Sequence, residues 1–85
     1  MDRKVLEKLK ENLFKRYSDF NKENLFIEIQ GDPRFEFIVV NWHISMDNYV
    51  NYNKLEKIKK YMYEYLKKHN QKGYFYVGDY AIEVK

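Results

Sequence analysis

The chain contains no cysteine and no threonine, one proline, three glycines, one alanine and two serines. Without Cys there is neither a disulfide framework nor a thiolate metal site. A turn accounts for each glycine, which leaves no Gly-rich loop to cradle a phosphate. Long apolar runs are missing too. The longest, Phe37-Ile38-Val39-Val40, suits a buried strand and falls far short of the roughly 18 residues of a membrane span. The first residues, Met1-Asp2-Arg3-Lys4, lead straight into an amphipathic pattern rather than an apolar signal core. No membrane contact is expected, and the cytoplasm is the expected compartment.

Groups that do chemistry are scarce as well. The histidines are His43 and His69, and the hydroxyl nucleophiles are Ser18 and Ser45. Ser45, His43 and Asp47 crowd one stretch with no supporting motif, and His43 with Asp47 lacks the spacing of a metal site. Glu28, Glu36 and Glu83 stand apart and read as solvated positions. No enzyme, catalytic residue, cofactor, metal or small-molecule substrate is therefore expected.

What is present is ring. Aromatic residues make up 19% of the chain, with nine Tyr, six Phe and one Trp. Such amphipathic surface suits an interface or stacking on bases. Hydrophobic residues at 45% and charged residues at 34% give an ordinary globular balance, and 85 residues suffice for a single domain, 1–85. The abundance of Lys, Asn, Tyr, Ile and Phe, all with A/T-rich codons, suggests an AT-rich source genome. That fits many phages, archaeal viruses and low-GC bacteria, so a viral or mobile-element origin is one expectation.

Apolar residues at 5, 6, 9, 13, 14 and 17 fall on one half of a helical wheel, which predicts a helix over 3–17. Asp2 is its expected N-cap, Lys15 and Arg16 suit its C-terminal dipole, and Glu11 pairs with Lys15 at i,i+4. Leu25, Ile27 and Ile29 alternate with Phe26, Glu28 and Gln30, the period of a strand. Gly31-Asp32-Pro33 breaks the chain, and 34–42 resumes it as a second strand, apolar on both faces and so expected at the centre of a sheet. Asn53 with Glu56 resembles a capping box for a second helix, whose stripe comprises Leu55, Ile58, Tyr61, Met62, Tyr65, Leu66 and His69, with Gly73 as its expected stop. Strands over 74–77 and 80–84 flank Gly78-Asp79, a strong hairpin signal.

The expected fold is therefore α+β, a two-layer sandwich in the order α-β-β-α-β-β. Two helices cover one face of a four-stranded, antiparallel-type sheet. This order is a circular permutation of the ferredoxin-like plait, which would place the last strand in the centre beside 34–42. The alternative is two hairpins joined edge to edge. Helix plus hairpin with Gly-Asp at the turn occurs twice, but the aligned side chains match poorly, and a shared turn type explains the likeness better than duplication.

Two features bear on function. Residues 53–72 carry seven Lys against two Glu, a segment charge of +5 in a chain of net +3. Lys57, Lys60, Lys67 and Lys68 project from the helix opposite its apolar stripe, as a ridge that could follow phosphates or simply face water. The other feature is the sheet. If the helices cover Ile27, Ile29, Ile38, Val40, Trp42, Ile82 and Val84, the far face shows Phe26, Phe35, Phe37, Val39, Tyr74 and Tyr76. An uncovered aromatic face of that kind marks a binding surface. The leading expectation is a small non-catalytic protein, an inhibitor or adaptor, that engages a protein partner or itself as a homodimer. It would use Phe26, Phe35, Phe37, Tyr74 and Tyr76 with the tips at 31–34 and 45–51. The alternative is sequence-tolerant nucleic-acid binding, with the Lys ridge on phosphates and the rings on bases.

Overall fold

The computed structural model describes residues 1–17, 25–42 and 52–85. Its elements run α1 (Arg3–Arg16), β1 (Leu25–Gln30), β2 (Phe37–Trp42), α2 (Tyr52–Lys68), β3 (Gly73–Val77) and β4 (Tyr80–Val84). Asp2 caps α1 as the sequence predicts: its carboxylate accepts from the Lys4 amide at 2.9 Å. Lys15 and Arg16 occupy the last turn, and Lys15 Nζ lies 3.5 Å from Glu11. The helix buries Leu6, Leu9 and Leu13, spaced three and four residues apart, so one stripe meets the sheet.

α2 buries Leu55, Ile58, Met62 and Leu66 in the same manner. Its two ends differ from the expectation. The helix already includes Tyr52, so Asn53 lies inside the first turn rather than at the cap. At the far end, Asn70 and not Gly73 ends the helix. Asn70 takes φ 57°, the Gln71 amide donates to Leu66 O at 2.9 Å, and the Asn70 amide donates to Lys67 O at 3.1 Å. This is a Schellman closure in which Asn supplies the left-handed residue. His69 consequently leaves the apolar stripe, is exposed, and packs against Tyr65 with ring centroids 4.4 Å apart and planes tilted at 43°.

The sheet is mixed, in the order β1-β2-β3-β4. β1 pairs antiparallel with β2 and β3 antiparallel with β4, while β2 and β3 run parallel in the centre. α2 makes the crossover that a parallel pair requires. The two hairpins therefore meet edge to edge. β4 lies at the rim and not beside β2, which sets the fold apart from the permuted plait. Burial explains the choice: β3 carries the fully buried Phe75 and Val77, whereas β4 has exposed Tyr80, Ala81 and Glu83.

α1 packs on β1 and β2, and α2 packs on α1 and β4. Between the layers lie Ile27, Ile38, Val40, Phe75, Val77 and Val84 with the helical residues named above, and Ile29 and Ile82 pack partly buried against them. Fully burying an aliphatic or aromatic side chain contributes about 1.5–3 kcal/mol. The alternation expected from the sequence is the one observed at these positions.

The first hairpin departs from its predicted bounds. Gln30 and Phe37 are the last registered pair, so 31–36 form a six-residue loop and the strand starts at Phe37 instead of residue 34. Asp32 organises that loop. Its carboxylate accepts from the Arg34 amide at 2.8 Å, and its carbonyl accepts from the Phe35 amide at 3.0 Å. The second hairpin has a true two-residue turn, with Gly78 at φ 60° in its first central position, as a type II′ turn requires. The repeated Gly-Asp thus sits in two different loops.

Candidate functional site

Strand alternation sends Ile27, Ile38, Val40, Phe75, Val77 and Val84 to the helices, so their neighbours point the other way. That far face carries Phe26 and Glu28 from β1, Phe37, Val39 and Asn41 from β2, Tyr74 and Tyr76 from β3, and Ala81 and Glu83 from β4. Phe26 is 43% exposed and Tyr74 50%, values typical of rings that meet solvent. Phe37 and Tyr76 are half-buried, with ring centroids 5.2 Å apart. Phe35 reaches the same region from the loop and is 75% exposed.

Four of the five predicted aromatics come together. Phe35, Phe37, Tyr74 and Tyr76 line one open concavity of about 340 Å³, with Met1, Glu36, Lys72 and Gly73 completing its wall. The parallel central pair is the cause. It puts the start of β2 and the start of β3 at one end of the sheet, so the 31–36 loop meets Gly73. Phe26 lies elsewhere on the face, opposite Asn41. The 45–51 tip lies outside the described residues, as do Ser18, His43, Ser45 and Asp47. The Trp42 side chain likewise lies outside the described residues.

Sequence reasoning missed Met1, Glu36 and Lys72. Glu36 is the instructive case, because it is not a solvated strand acid. It sits in the loop with its side chain only 11% exposed and pairs with Arg3, which also contacts Glu7 at 3.1 Å. The Met1 amine donates to Glu36 O at 3.2 Å, which ties the start of the chain to the hairpin loop. These partners lie more than thirty residues apart, and no local pattern links them.

The charge on the aromatic face is mixed. Glu28 accepts from Gln30 Nε2 at 3.0 Å, and Glu83 lies 3.6 Å from Lys85 Nζ. Glu83 is also the cross-strand partner of Tyr74. Its hydrogen bond and then its negative charge push the Tyr74 phenol above the ordinary tyrosine range, with smaller contributions from burial and Tyr76.

The Lys ridge is on the other layer. Lys57, Lys60, Lys67 and Lys68 are exposed on α2, and among the described residues no carboxylate stands within 4 Å of them. Lys57 and Lys60 join Arg16, Tyr17, Tyr61 and Glu64 around a shallow groove of about 510 Å³ between the helices. The Arg16 guanidinium lies over the Tyr61 ring at 4.7 Å. Helices and sheet thus separate the two predicted surfaces.

Among the described residues no group of three or more His, Asp or Glu side chains is placed to hold a metal ion. No described helix is long and apolar enough to cross a membrane. Compared with family models, curated proteins and solved structures, the chain matches none.

Proposed function

We propose that this chain is a non-catalytic binding protein that works in the cytoplasm by occupying a protein partner, as an inhibitor or adaptor. The observation that carries the reading is the convergence of Phe35, Phe37, Tyr74 and Tyr76 on one concavity, on the face the helices leave open. Aromatic anchors around a pocket are what the centre of a protein interface is made of. The charge pattern favours protein over nucleic acid. Glu28 and Glu83 stand on the same face as the rings, where they would repel a phosphate backbone.

The test uses Phe35→Ala with Tyr74→Ala, two exposed rings whose removal spares the core. Wild type and variant are immobilised and compared for capture from lysate of the native host, with and without nuclease treatment. A protein retained in stoichiometric amount by the wild type should bind the variant at least about tenfold more weakly, as expected for two lost anchors. Recovery of nucleic acid alone, or equal capture by both, defeats the reading.

A second reading has its own observation. Arg16 joins Lys57 and Lys60 across the inter-helix groove, so the basic surface extends beyond a single helix. Nucleic-acid binding would then use this layer without the rings. Replacing Lys60, Lys67 and Lys68 by Glu should abolish it, and wild-type affinity should fall steeply with salt. Binding that survives the triple replacement would remove the ridge from consideration.

A further inference from the structure

The Gly78-Asp79 turn determines which backbone groups of β4 are already in use. Val77 and Tyr80 flank a two-residue turn and so form a hydrogen-bonded pair. The pattern alternates along an antiparallel ladder. Phe75 with Ile82 and Gly73 with Val84 are the next hydrogen-bonded pairs, while Tyr76 with Ala81 and Tyr74 with Glu83 are not. The N–H and C=O groups of Ala81 and Glu83 therefore point away from β3, along the rim.

Among the described residues no strand pairs with this rim: β4 is last in the sheet order, and Tyr80, Ala81 and Glu83 are all exposed. Edge strands are usually blunted by shortness, charged side chains, proline, a bulge or an inward-pointing charge. β4 has no proline, its register with β3 is unbroken, its helix-facing positions Ile82 and Val84 are apolar, and its one charge, Glu83, lies on the opposite face.

We propose that β4 pairs antiparallel with β4 of a second copy of this chain, about a two-fold axis at Ile82. Hydrogen bonding and charge select this register together. A shift by one residue would set free groups against groups already committed to β3. Centring the axis on Glu83 would put Glu83 opposite Glu83, and centring it on Ala81 would put Glu83 opposite Asp79. Centring it on Ile82 places Ala81 opposite Glu83 twice, so both sets of free groups are satisfied. Lys85 then comes beside the Gly78-Asp79 turn of the other copy. On the helix side, half-buried Ile82 meets its own copy, and exposed Tyr80 comes opposite Val84, whose side chain the core already buries. The contact is isologous, as a two-fold dimer requires. It joins two sheets into one of eight strands, and it does not depend on the partner proposed for the aromatic face.

Sedimentation of the full chain over a range of concentrations tests this, with circular dichroism reporting the fold. The wild type should show a reversible monomer–dimer equilibrium. Ala81→Pro removes an outward N–H but no bond to β3, and should give a folded monomer. Ala81→Glu sets Glu against Glu83 at two symmetric positions and should weaken the dimer about fivefold. Adding Glu83→Lys to Ala81→Glu makes both contacts attractive again and should restore it. If the proline variant fails to fold, the two charge variants decide. A wild type that stays monomeric, a dimer indifferent to Ala81→Glu, or a double variant as weak as the single one overturns the proposal.

Discussion

Phe37 and Tyr76 stand edge to face on the open side of the sheet, their ring planes inclined at 62°. One ring belongs to β2 and the other to β3, so the pair bridges the parallel contact at the centre. Edge-to-face pairs contribute about 0.5–1.5 kcal/mol beyond their burial. A double-mutant cycle of Phe37→Ala and Tyr76→Ala, read by urea denaturation, should return a coupling of that size. A coupling near zero would mean that the rings meet without stabilising the seam.

Gly31 is required by its surroundings. It has φ 99°, and a methyl group placed on it would lie 2.1 Å from the carbonyl oxygen of Phe35. Gly31→Ala should cost about 2 kcal/mol or more through backbone strain and displacement of the loop. Because that loop carries Phe35, the same change should disturb the concavity. An unaltered denaturation midpoint would contradict this.

Asn70 ends α2 at φ 57°, a conformation that costs an ordinary L-residue roughly 1 kcal/mol. Asn70→Gly should raise stability by several tenths of a kcal/mol, and Asn70→Ala should lower it by about 1 kcal/mol. The opposite order in thermal melts would mean that the Schellman closure does not control this end.

Tyr74 should ionise late. Its folded-state pKa is raised, chiefly by the hydrogen bond to Glu83 and then by the charge of that carboxylate. The neutral phenol thus favours the folded state at neutral pH. That contribution is lost as pH climbs above about 10, from the unfolded value toward the raised one. Glu83→Gln should move the Tyr74 midpoint down, as followed by NMR. Tyr65, raised mainly by desolvation and then by Tyr61, should not move. An unchanged Tyr74 midpoint would remove Glu83 as the cause.

Much of this molecule can be read from short-range pattern. The stripe Leu6, Leu9, Leu13 and the cap at Asp2 follow from helix period and side-chain chemistry within a few residues. So does the sorting of Ile27, Ile38 and Val40 from Phe26, Phe37 and Val39, because a strand alternates whatever lies beside it. Strand order was not legible in the same way, since it depends on which hairpin edges meet across α2. The contrast between buried Phe75 and exposed Ala81 and Glu83 was the available clue that β3 is central. The sequence pattern puts Phe35 on a strand, whereas the Asp32 turn extends the loop further than Gly31-Asp32-Pro33 alone suggests. Met1, Arg3 and Lys72 reach the hairpin loop only through tertiary packing, and no local rule anticipates them.

The central parallel contact has a kinetic consequence. Each hairpin closes over a few residues, whereas β2 and β3 are separated by residues 43–72 and register through only Val39 with Tyr76 and Val40 with Val77, followed by the Gly78 amide on Val40 O at 2.8 Å. Long loops close late, and contacts between distant residues dominate the barrier. The middle of the sheet is therefore expected to assemble after its flanks. In pulse-labelling during refolding, the Gly78 amide should gain protection later than the amides within either hairpin.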